Sequence, residues 1–100
     1  MESGRMVLLN FVTCWKRSRL TEARQIVKSF FDSDKSNFLG IKATEFNLEQ
    51  DGRDPEYLSL NVRANIPIAA EKPNSDIAVR YADWIYRRFD FFDYTVNPPP

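Results

Sequence analysis

Histidine is absent from this 100-residue chain, cysteine occurs once and glycine three times. Without histidine there is no Ser-His-Asp triad, no Cys/His zinc site and no haem histidine. Cys14 alone cannot close an internal disulfide, which points away from a disulfide scaffold and toward a reducing compartment. Gly4, Gly40 and Gly52 stand too far apart to make a phosphate-cradling loop, and the acidic residues form no EF-hand loop. The longest apolar runs, residues 6–9 and 11–12, fall far short of the about 20 residues of a membrane span. No small-residue cleavage site follows residues 6–14, where Trp15-Lys16-Arg17 stands instead, so a signal peptide is not read there. The expectation is a cytoplasmic protein with no membrane partner, no cofactor and no metal.

Charge of one sign is lacking too. Residues 1–50 carry eight basic and six acidic side chains and residues 51–100 carry six and eight, so the net charge is zero. That is no electrostatic footprint for a phosphate backbone, and no nucleic-acid partner is expected. What the chain does have is a core: 43% of its residues are hydrophobic and 14% aromatic, which argues against disorder. One hundred residues suit a single domain that buries roughly 65% of its unfolded surface. Residues 1–100 are read as that domain, with 1–5 and 97–100 as flexible tails.

Residues 6–14 are apolar at nearly every position, which predicts a strand covered on both faces, with a buried helix over 5–15 as the rival. Thr21 reads as the N-cap of a helix whose stripe is Ala23, Ile26, Val27, Phe30 and Phe31. Residues 38–50 read as a strand with a bulge near Thr44-Glu45. The Asp51-Gly52 step reads as a turn in which glycine supplies a positive φ. In residues 56–66 the set Leu58, Leu60, Val62, Ala64 and Ile66 alternates with Tyr57, Ser59, Asn61, Arg63 and Asn65. A second helix follows a cap at Asn74 or Ser75, and Phe92, Tyr94 and Val96 read as one side of a last strand.

The order β-α-β-β-α-β predicts an α+β fold: a ferredoxin-like sandwich, with a four-stranded antiparallel sheet in the order 4-1-3-2 and two helices on one face. This order resembles small-molecule-sensing domains of the ACT type at the level of fold alone, and fold does not imply function. No Cys-x-x-Cys metal loop follows the first strand, and the spaced aromatics by which RNA-recognition motifs stack bases are missing too.

Two features stand out for function. Lys16, Arg17, Ser18 and Arg19, with Thr21 at the expected helix start, offer cations, hydroxyls and backbone N–H groups suited to a phosphate or carboxylate. A solvated loop explains the same residues. Cys14 beside them is a nucleophile candidate without a histidine base and reads better as a small buried hydrophobe. The acidic pairs at 32/34, 51/54 and 90/93 fall at turns and element ends, where turn chemistry accounts for them.

The second feature is aromatic. Half of the fourteen aromatics lie between Tyr81 and Tyr94, more than one helix stripe and one edge strand can hide. Aromatics and Arg are enriched at interface centres. Tyr57, Asn61, Arg63, Tyr86, Phe91, Phe92 and Tyr94 are therefore the interface candidates, with Phe91 expected on the open sheet face and Phe92 under the helices. The expected function is a non-enzymatic binding or assembly module, homodimeric through its sheet or its C-terminal aromatics. The alternatives are a sensor or enzyme for a small anion at Lys16–Arg19 and an inhibitor or immunity-type protein shaped to one protein partner.

Overall fold

In the computed structural model, which describes residues 4–67 and 77–97, the chain forms β1 (Gly4–Lys16), α1 (Leu20–Phe31), β2 (Ala43–Gln50), β3 (Tyr57–Pro67), α2 (Ile77–Phe89) and β4 (Asp93–Asn97). The fold is α+β, with one four-stranded sheet in the order β2-β3-β1-β4 and every neighbouring pair antiparallel. Residues 5–15 are strand, not the rival helix. Gly4, Arg5 and Asn97, expected in the tails, are strand residues paired with Pro67, Ile66 and Leu8. The expected cap of α2 at Asn74 or Ser75 lies outside the described residues. Among the described residues no helix is long and apolar enough to cross a membrane.

The core lies on one face of the sheet. Val7, Leu9, Phe11 and Thr13 of β1 and Leu58, Leu60, Val62, Ala64 and Ile66 of β3 are buried together, as the two-residue period of a strand requires. Phe46 and Leu48 of β2 oppose Val62 and Leu60 and continue that face. Against it pack Ala23, Val27 and Phe31, four residues apart on α1, and Ile77, Ala78, Tyr81, Ala82 and Ile85 of α2. The other face of β1 is not covered: Met6 and Leu8 are 46% and 40% exposed. The expected two-sided burial of this strand is therefore wrong, because the helices form one layer only.

Local chemistry differs from the sequence reading at four points. Helix α1 begins at Leu20, preceded by a 3-10 turn at Arg17–Arg19, so Thr21 sits inside the first turn instead of capping it, and Ile26 faces solvent. Residues 38–50 are not one strand. Phe38 and Ile41 exchange N–H···O bonds of 3.0 and 2.9 Å around Leu39 and Gly40, whose φ values of +57° and +77° mark a type I′ hairpin turn. The bulge does fall between Ala43 and Glu45. At Asp51-Gly52 no positive φ is used. The buried Asp51 carboxylate instead accepts the N–H groups of Arg53 and Asp54, at 3.0 and 2.8 Å, and the Ser59 hydroxyl.

The fourth point is the junction of α2 and β4. Asp90 takes φ +59° and the Phe91 N–H reaches back to the Tyr86 carbonyl at 3.4 Å, the six-to-one bond of a Schellman ending. That ending returns Phe91 to the core, 4% exposed, where it packs against Phe11 and Trp15. The Phe92 N–H donates to the Val12 carbonyl at 2.9 Å while Asp93 is Val12's register partner. Two residues stand against one, as in a bulge, and Phe92 swings out to 59% exposure.

Candidate functional site

The uncovered sheet face is built in rows across β2, β3, β1 and β4. One row reads Glu45, Arg63, Leu8, Asn97; the next Asn47, Asn61, Asn10, Thr95; the third Glu49, Ser59, Val12, Asp93. Hydrogen bonds tie the middle of this surface together. Asn10 donates to Asn61 at 2.9 Å, and Asn61 donates to Glu49 at 3.1 Å. A shallow cleft of about 170 Å³ lies over Leu8, Glu45, Asn47, Glu49, Asn61 and Arg63. Apolar surface sits at the two ends, Met6 and Leu8 at one and Tyr57 with Phe92 at the other, their rings edge-on at 6.0 Å.

Of the expected interface residues, Tyr57, Asn61, Arg63 and Phe92 come together on this side. Tyr86 and Tyr94 lie on the helix side, 5.3 Å apart, with Tyr94 also against Phe11. Phe91 is a correction: it is buried within its own chain, and Phe92 occupies the exposed place assigned to it. Period-two counting from Tyr94 cannot see this, because the Schellman ending and the bulge each shift the phase. Burial first, then the Asp83 carboxylate, pushes the Tyr94 hydroxyl above its ordinary pKa. Tyr81, deep in the core, is pushed to about 12 by burial, so neither phenol is poised for proton transfer at neutral pH.

The basic loop does not converge on one point. Lys16 ends β1, pairs with Glu56 at 3.1 Å and lies over the Tyr57 ring at 5.2 Å. Its hydrogen bond and charge contact with Glu56 raise its pKa. Arg17 donates to the Gln50 side chain at 3.1 Å. Arg19 pairs with Glu22, which raises the guanidinium pKa and lowers that of the carboxyl. Ser18 and Thr21 are exposed on the other side of Arg19, along a shallow surface shared with Glu22 and Gln25. Cys14, expected to be buried, is exposed, and lines a cleft of about 210 Å³ with Trp15, Lys16, Arg19, Glu22 and Ile26.

The sequence reading passed over a third region. Trp84 stacks on Phe38, 4.7 Å apart and 5° from parallel, and carries the Arg88 guanidinium 4.6 Å from its ring. Clefts of about 400 and 390 Å³ flank it, the second reaching Arg80, Asp83, Arg87 and Tyr94. Among the described residues no three His, Cys, Asp or Glu side chains gather as a metal site would need. Comparison with known proteins finds no matching family model, no matching curated protein and no matching solved structure.

Proposed function

We propose that this chain is a non-enzymatic binding or assembly module that works as a homodimer in the cytoplasm. The observation that carries the reading is the uncovered sheet face, which leaves Met6, Leu8 and Phe92 exposed beside hydrogen-bonded polar side chains. Large apolar side chains left exposed on one uncovered face mark contact surfaces. The architecture behind it is read as the ferredoxin-like sandwich. Supporting that, the sheet order counted from β4 is 4-1-3-2, and the buried hydrophobic residues of β1, β2 and β3 share one face with the partly buried Tyr94 and Val96 of β4.

The anion-binding alternative has less support. Two of its three cations, Lys16 and Arg19, already pair with carboxylates, and Arg17 is held by Gln50. Light scattering over a hundredfold dilution tests the main reading. A dimer mass that falls toward monomer at low concentration is expected. A monomer mass throughout overturns the homodimer. A thermal shift with inorganic phosphate that disappears in Arg17→Ala would favour the anion site instead.

A further inference from the structure

We propose that the second copy docks on the outer edge of β4, as an antiparallel β4–β4 pairing with Thr95 on the two-fold axis; this rests on the homodimer reading and places its contact on the sheet edge beside the C-terminal aromatics, not on the open face. Two strands lie outermost in the sheet, β2 and β4, and an outermost strand carries a row of backbone groups ready to pair with another chain. The two edges differ in what they would bring together.

Strand β2 resists its own copy. Glu45 and Glu49 share the open face with Asn47 between them. A two-fold at Asn47 would set Glu45 directly against Glu49 of the other copy. A two-fold at Phe46 would leave the same four carboxylates diagonal to one another, still within reach of like-charge repulsion. The bulge between Ala43 and Glu45 bends this edge as well, and bulges and charges are the usual protections of an edge strand.

Strand β4 has its one charge, Asp93, and its bulge at Phe92 together at its start, and neither protection within residues 94–97. A two-fold at Thr95 sets Thr95 against Thr95, Tyr94 against Val96 and Asp93 against Asn97. These are a hydroxyl pair, an aromatic with a β-branched residue, and a carboxylate with an amide, and the first two are favourable cross-strand pairs. No like charges meet, and the two Asp93 carboxylates fall at opposite ends of the pairing. Beside this edge, α2 reaches Tyr94 through Tyr86 and Asp83. Its flank carries both signs, Asp83 paired with Arg87 at 2.8 Å, so it does not repel its own copy. The product is an eight-stranded sheet with the helices of both copies on one side, closed by the two-fold.

Cysteine placement and charge at the axis decide it. In a Cys14→Ser background, Thr95→Cys should form an intermolecular disulfide under mild oxidation, because directly opposed residues lie within bridging distance; Asn47→Cys should not. Thr95→Glu and Thr95→Arg, each folded by circular dichroism, should both weaken the dimer by on the order of tenfold or more, since either sign meets itself at the axis. A dimer that cross-links through Asn47→Cys, or whose dissociation constant is unchanged by both Thr95 charges, overturns the β4 edge and leaves the homodimer standing. A monomer at every concentration overturns both.

Discussion

The two faces of the sheet are made from the same strands and treat solvent oppositely. On the helix side, Leu9, Phe11, Leu60 and Val62 have no exposed surface. On the other, the residues one step along, Leu8, Asn10, Asn61 and Arg63, are half-buried or exposed. The covered face gains its stability from apolar area removed from water. The open face is held by side-chain hydrogen bonds that compete with water and contribute little net. Identical chemistry should therefore have different worth on the two sides. Leu60→Ala should cost about 2–5 kcal/mol, the range for a buried leucine leaving a cavity. Leu8→Ala, from a residue whose surface is already partly wet, should cost about 1 kcal/mol or less. Urea denaturation of both variants checks this; equal losses would mean that a second layer covers Leu8.

Much of this two-sidedness is legible in the sequence. The alternation from Leu58 to Ile66 matches the buried hydrophobic set of that strand residue for residue, because a strand's period is fixed by its backbone. The hidden part depends on how many layers exist. Nothing in residues 6–14 tells whether Met6 and Leu8 meet a second layer or water, since an apolar run reads alike in both cases. The exchange of Phe91 for Phe92 was illegible for another reason. Asp90 fills a left-handed position that glycine usually takes, so no glycine announced the Schellman ending. In the basic loop, the pairing of Arg19 with Glu22 follows helix spacing and was there to be read, whereas Lys16 with Glu56 joins residues forty apart in sequence.

Ser59 sharpens the comparison, because it belongs to the open face by register yet is buried. The Asp51 turn folds over it and its hydroxyl donates to the carboxylate. Asp51→Ala would strand that hydroxyl and the N–H groups of Arg53 and Asp54, at a cost of about 1–3 kcal/mol. The hydrogen bond from Ser59, with those of the two N–H groups, holds the Asp51 pKa below its ordinary 3.8. A carboxyl with a depressed folded pKa adds stability above its unfolded pKa and loses it as pH falls through the folded value. The gap between wild type and Asp51→Ala should thus be full at pH 7 and narrow as pH drops past 3.8. Denaturant curves at pH 7 and pH 3 measure it; a gap independent of pH would remove Asp51's charge from the account.

The smallest expected effect sets one exposed leucine against another. Leu39 is 43% exposed, close to the 40% of Leu8, but its backbone differs. At φ +57° it holds the first central position of the Phe38–Ile41 hairpin turn, with Gly40 at +77° after it. A left-handed conformation costs an ordinary L-residue about 1–2 kcal/mol through the clash of Cβ with the carbonyl that follows. Glycine escapes the clash and asparagine tolerates the region, which makes Asn-Gly the preferred pair for a type I′ turn. Leu39→Asn should consequently stabilise the protein by about 1 kcal/mol, while Leu8→Ala does not stabilise it at all. Thermal melts should show an increase of several degrees for Leu39→Asn in a domain of this length. If Leu39→Asn melts lower than wild type, the Leu39 side chain contributes contacts worth more than the strain of its backbone, and backbone conformation would no longer separate the two leucines.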